Sequence, residues 1–278
     1  MSFTITACSA LTPKQCAEIE ALQKRVYEAE GLQNTAWLSN EINFDRTIPC
    51  FFLGHENDVL VSFLTLFLPG RAEGEVVAFT ARECRDKGYF TALLEKARKV
   101  LKENGVPDFL FALEPQGRQG MAYLYHHFPG AVLSHTEWRM FREPDCAPMP
   151  AGTSAEPVTK ENLLEYLEIC QPEYGDQEAA VLRSEQRASY LVRCCGKPVG
   201  VFSMVNGDVW TLCGVVVVQA ERGKGYGRAV VRAALNLACE AGKRVELDVD
   251  SENPPALRLY KSFGFKPTFE VQYWRAPV

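Results

Sequence analysis

The feature that most constrains how this chain of 278 residues can fold is that it repeats itself. Arg85-Asp-Lys-Gly88-Tyr89-Phe90, ahead of one apolar helical stretch, parallels Arg222-Gly-Lys-Gly225-Tyr226-Gly227 ahead of another. Leu124-Tyr125-His-His-Phe128 parallels Leu259-Tyr260-Lys-Ser-Phe263, and Glu137-Trp138-Arg139 parallels Tyr273-Trp274-Arg275, in one order and at a nearly constant offset. Ordered matches of this kind mark a duplicated unit, and each copy must bury its own core. The stretch from Glu143 to Ser154 holds three prolines and a glycine and separates the copies. The repeat therefore predicts one domain over residues 1–145 and a second over 156–278, with the boundary between 143 and 155.

Each copy reads as strands and helices in the same order. In the first, Thr12 and Pro13 open a helix through Cys16, Ile19, Leu22 and Val26. Strand patterns follow at 51–53, 59–68 and 75–80, then a helix from Tyr89 to Glu103 closed by Gly105, then a strand at 109–113. In the second, Thr159 opens a helix, and strands are expected at 188–194, 197–205 and 209–218, with Asn206-Gly207 as the hairpin turn. A helix over 226–241, a strand at 245–249, a short helix from Pro255 to Phe263 and a strand at 268–275 complete it. The predicted class is α/β (α+β by some schemes), with each copy a sheet flanked by helices.

Composition narrows the function. A net charge of -5 argues against general nucleic-acid binding, which needs a basic field to displace counter-ions from phosphates. No apolar run approaches the roughly 18 residues of a membrane-spanning helix, and the N-terminus does not read as a secretion signal. The ten cysteines lack the spacing of a zinc site or a disulfide scaffold, and the four histidines lack partners at ligand spacing. No metal and a reducing, cytoplasmic setting are expected.

The chemistry concentrates where Val215-Val216-Val217-Val218 runs into Arg222-Gly223-Lys224-Gly225-Tyr226-Gly227-Arg228. This is a buried strand, a glycine turn and a helix start. Glycines let backbone approach a ligand closely, free amides at a helix N-terminus attract anions, and Arg222, Lys224 and Arg228 add positive charge, so the turn suits a phosphate or pyrophosphate. It is neither a P-loop, since no Ser or Thr follows a glycine-lysine pair, nor a dinucleotide fingerprint, since Arg228 stands where a third glycine belongs. The alternative is that the glycines only form a strand-to-helix turn beside solvated charges.

The ordered set of Arg222-x-x-Gly225-x-Gly227 after a buried strand, then Asn253, Tyr260 and Phe263-Gly264-Phe265, resembles the GNAT superfamily of acyl-CoA-dependent N-acyltransferases over residues 156–278. The resemblance implies a twisted mixed sheet whose central strands splay to admit a pantetheine arm. It implies that Val215, Val216 and Val217 pair with that arm, that the amides of 223–228 hold the pyrophosphate, and that acetyl-CoA or another short acyl-CoA is co-substrate. The acceptor would be the amine of a small molecule or a protein. Tyr260 would protonate the departing thiolate, and the alternative for it is a core aromatic packed with Leu259 and Phe263. Asn253 would contact the cofactor arm and also fits a helix cap. Asp248 is the candidate base, although Glu246 and Asp250 share its face of the strand. No His in this half could activate Cys194, Cys195 or Cys213.

The first copy resembles the family more weakly. It keeps Arg85, Lys87, Gly88 and Tyr125, but Phe90 replaces the last glycine, and the counterparts of Asn253 and Asp248 fall near Arg118 and Leu113, with Glu114 the nearest acid. The resemblance to tandem members implies a degenerate first domain that completes the acceptor pocket. Two other readings stay open: an acyl-CoA sensor without turnover, and catalysis in the first copy.

Overall fold

The computed structural model describes residues 2–174 and 187–278. The chain divides into two compact units, one running to Glu137 and including Phe269–Val278, the other Trp138–Thr268.

In unit 1, strands β1 (Phe3–Cys8), β2 (Phe51–Glu56), β3 (Val59–Phe67) and β4 (Glu73–Thr80) pair antiparallel in sequence order, and β5 (Asp108–Leu113) joins β4 in parallel. Helix α1 (Pro13–Glu30) forms as predicted. The Thr12 hydroxyl accepts from the Gln15 amide at 3.3 Å while the Gln15 side chain accepts from the Thr12 amide at 2.9 Å, a capping box that satisfies orphan donors. Helix α2 (Tyr89–Glu103) buries Leu93, Leu94, Ala97 and Leu101 against the sheet face that carries Phe52 and Leu64. Each such aliphatic side chain removed from water contributes about 1.5–3 kcal/mol. Helix α3 (Arg118–His127) and strand β6 (Val132–Arg142) follow.

In unit 2, β7 (Thr153–Pro157), β8 (Arg187–Cys194), β9 (Lys197–Val205) and β10 (Val209–Val217) pair antiparallel, and β11 (Arg244–Asp250) joins β10 in parallel. Helix α4 (Leu163–Tyr174) covers one face, where Tyr166 and Cys170 pack on Leu191, Val201 and Val216. Helix α5 (Tyr226–Glu240) covers the other, burying Val230, Ala233, Ala234 and Ala238 with Val199 and Phe202. Helix α6 (Pro254–Ser262) and strand β12 (Lys266–Pro277) end the chain.

Three features depart from the sequence reading. The end of the predicted linker, from Thr153 on, is already part of β7, an edge strand of the unit 2 sheet. The second unit does not run to the C-terminus, because residues 272–277 pair antiparallel with β5, Val271 and Tyr273 pack on Val77 and Leu110, and Arg275 pairs with Glu73 at 2.8 Å, all in unit 1. Cys146 and Cys239, at a sequence separation of 93, form a disulfide with no local spacing to announce it.

Candidate functional site

Strands β10 and β11 pair only from Val209↔Arg244 to Thr211↔Glu246. Beyond Thr211, β10 keeps β9 on one side and gives up its parallel neighbour on the other. In the same stretch its register against β9 shifts between Cys213 and Val216, where Gly214 takes a positive φ of 58°. That is a β-bulge, which turns backbone groups out of the ladder and is frequent beside active sites. Val215, Val216 and Val217 form the end of this strand, directly before the turn.

The turn has the shape that its sequence suggests. Gly223 and Gly225 have φ of 80° and 88°, which only glycine adopts cheaply, and a side chain at either would meet no atom within 4 Å. Gly225 caps α5 with no side-chain hydrogen bond to the helix amides. A turn open above its backbone, leading into uncapped amides, fits an anionic group. Gly227 has a different job: a Cβ there would stand 3.0 Å from Leu259 Cδ2, so this glycine lets α6 pack on α5. That packing role is absent from the sequence reading.

The charges around the turn are organised rather than loose. Arg222 Nε donates to the Val217 carbonyl at 3.2 Å. Lys224 and Lys197 donate to Glu221 at 2.9 and 2.7 Å, and these two lysines hold the Glu221 carboxyl below its ordinary range. Arg228 donates to the Ser262 hydroxyl at 3.1 Å and lies 4.9 Å over the Phe263 ring. The Tyr226 phenol is pushed up, first by its hydrogen bond with the Cys194 thiol.

Tyr260 is buried in the unit 2 core with Phe263 and Phe265, and meets Phe265 edge-on at 5.9 Å. The Asn253 side chain accepts from the Ala256 amide at 3.2 Å and caps α6, so the capping role is present. Asp248, the expected base, is clamped by Arg139, whose Nε and Nη2 donate to its two oxygens at 2.9 Å each. This bidentate pair ties β6 to β11. Thr211 donates to Glu246 at 3.1 Å, and Asp250 accepts from the Glu252 amide at 2.7 Å in its own turn.

The equivalent turn in unit 1 repeats one bond and loses the rest. Arg85 Nε donates to the Thr80 carbonyl at 3.1 Å, as Arg222 does to Val217. The Arg85 guanidinium also pairs with Glu30, Lys87 pairs with Glu56 at 3.0 Å, and the Tyr89 hydroxyl donates to Glu56. Phe90 packs edge-on against Tyr123 at 4.7 Å. Strand β4 pairs with β3 without a register shift. Tyr125 is exposed and lies edge-on to Trp274.

Comparison with known proteins gives a family match over part of the chain and a likeness of fold. Residues 156–265 match the model of the acetyltransferase (GNAT) family. An uncharacterized N-acetyltransferase of Methanocaldococcus jannaschii is 28% identical over 103 residues, covering 34% of this chain and 46% of that protein, so the match spans under half the relative's length. A GCN5-related N-acetyltransferase from Sphaerobacter thermophilus superposes with a TM-score of 0.75 at 17% identity, over 99% of this chain and 95% of that one. A tandem GNAT protein from the clavulanic acid biosynthesis pathway gives a TM-score of 0.72 at 17% identity, over 99% and 98% of the two chains. No helix among the described residues is long and apolar enough to cross a membrane.

Proposed function

We propose, from the premise that residues 156–265 are a GNAT acetyltransferase domain within a tandem GNAT fold, that unit 2 transfers an acetyl or short acyl group from acyl-CoA to an amine. The observation that carries this reading is the turn from Arg222 to Arg228, open above Gly223 and Gly225 and set at the mouth of the gap between β10 and β11. The donor supplies a thioester carbonyl that an amine can attack. The uncapped amides of α5 with Arg228 would hold its phosphates, and the bulged backbone at 215–217 would pair with its extended arm. Tyr260 would give its proton to the departing sulfur, a task for a phenol that is not ionised at neutral pH. With Asp248 clamped by Arg139, water takes the proton of the attacking amine in this reading. Asn253 positions α6 by its cap and with it Tyr260. A cytoplasmic setting belongs to the same reading, and the acceptor is a small-molecule or protein amine.

The test is release of free thiol from acetyl-CoA in the presence of a panel of primary amines, followed with a thiol reagent. Amine-dependent release supports transfer. Binding of acetyl-CoA without thiol release from any amine would make the protein a sensor instead.

A further inference from the structure

A cavity of about 620 Å³ lies within unit 1 and takes no part in the chemistry above. It opens where β4 and β5 part company: their parallel pairing runs only from Glu73↔Asp108 to Val76↔Phe111. Its walls are largely apolar, with Val76, Ala78, Phe111, Leu113 and Leu124 among them.

One charged group in this wall is unlike the others. Glu114, at the end of β5, is only 6% exposed and lines the cavity. Its Oε1 accepts from the Gln33 and Asn34 amides at 2.7 Å each, and its Oε2 accepts from Gln116 Nε2 at 2.7 Å. Those donors fix the carboxylate in place and bring no positive charge. Glu30, on the same cavity, has Arg85 as its partner, and Glu221 in unit 2 has two lysines. Among the described residues no lysine or arginine pairs with Glu114. A buried carboxylate without a counter-ion is costly, and the cost falls when a ligand brings the missing charge. The Tyr27 phenol, on the same wall, is pushed above its ordinary range by desolvation and then by Glu114 and Glu30. His126 and His127 also line the cavity, and His127 stacks on Tyr123 at 4.1 Å.

We infer that the unit 1 cavity binds an organic ammonium, with the cationic head against Glu114 and an apolar body along Ala78, Phe111 and Leu113. The site goes beyond the acyl-transfer reading and does not depend on it. An apolar cavity alone would take a neutral ligand equally well. The buried carboxylate selects the cation.

The experiment titrates octylammonium and octanol into the whole chain by calorimetry near pH 7.5. Octylammonium should bind with a stoichiometry of one, and octanol should bind at least roughly tenfold more weakly, the difference that one desolvated charge pair supplies. Glu114→Gln, which keeps an acceptor for the two amides, should weaken ammonium binding by about tenfold or more. Ala78→Phe should abolish it by filling the space, and Gly225→Glu should leave it unchanged. Should either unit 1 variant fail to fold, the comparison of ammonium with alcohol on the wild-type chain remains decisive. Three results would overturn the proposal: octanol binding as tightly as octylammonium, ammonium binding that survives Ala78→Phe, or no ammonium binding. Competition by acetyl-CoA in the Gly225→Glu variant would also overturn it, by making the cavity a second thioester slot. Failure of thiol release with ammonium binding intact would remove the acyl-transfer reading and leave this one standing.

Discussion

The two turns that the repeat makes equivalent match their cations differently. Around Gly225, Lys197 and Lys224 share one carboxylate, Glu221, and Arg228 donates to the Ser262 hydroxyl. Around Gly88, Arg85 and Lys87 are each matched by an acid, Glu30 and Glu56, and Asp86 adds another. The backbone differs in the same direction: β10 is bulged beside its gap and β4 is not. A duplicated scaffold thus keeps the turn and its Arg-to-carbonyl bond in both copies, while the acid pairing of the neighbouring cations differs between them. The glycines make the shape of the turn in both copies, and the charged neighbours distinguish the two.

The strongest way to break this contrast is at the two tyrosines. Tyr260→Phe should spare acetyl-CoA binding and lower thiol release by roughly 10²–10⁴-fold, the loss typical of a general acid. Tyr125→Phe should leave the rate unchanged, because Tyr125 is 56% exposed and its ring packs on Trp274. A collapse in Tyr125→Phe with normal rates in Tyr260→Phe would move the chemistry to unit 1.

A second contrast concerns stability. The Cys146–Cys239 disulfide closes a loop wholly within unit 2. Reduction should cost unit 2 about 2–4 kcal/mol, mainly by freeing the unfolded chain. Hydrogen exchange should show faster opening of α5 after reduction, with α2 unchanged. Equal acceleration in both helices would contradict the assignment.

A smaller effect sits in unit 1. Burial, with Glu137 and Glu73 nearby, pushes the Glu75 carboxyl up to about 7 from 4.5. A carboxyl whose folded pKa exceeds its unfolded one holds its proton more tightly when folded. Stability from this group is therefore full below about pH 4.5 and declines as the pH rises to 7. Glu75→Gln should flatten that decline and stabilise the protein near pH 8 by at most about 3 kcal/mol, with no gain near pH 4. Melting curves across this range check it, and an equal gain at both ends would mean that charge is not the cause.

The turn, the α1 capping box and the order of strands were legible because each rests on local residues: Gly225, Thr12 with Pro13, and the Asn206-Gly207 hairpin. What was not legible depends on residues far apart in sequence. Glu137-Trp138-Arg139 and Tyr273-Trp274-Arg275 carry the same pattern, so nothing local says that residues 138–142 serve unit 2 and 269–278 serve unit 1. The pairing of Asp248 with Arg139, 109 positions away, has no local signal either. The packing role of Gly227 depends on the approach of Leu259, which the turn sequence does not announce.

Binding of acetyl-CoA to paired glycine variants tests the central claim most directly. Gly225 and Gly88 both have positive φ, and a side chain at either meets nothing within 4 Å, so glutamate brings similar backbone strain, about 1–2 kcal/mol, to each. The account predicts that calorimetric titration of Gly225→Glu loses acetyl-CoA binding by more than about a hundredfold, because a carboxylate replaces the phosphate, while Gly88→Glu binds like wild type. Wild-type affinity in Gly225→Glu, with loss of binding in Gly88→Glu, would contradict it.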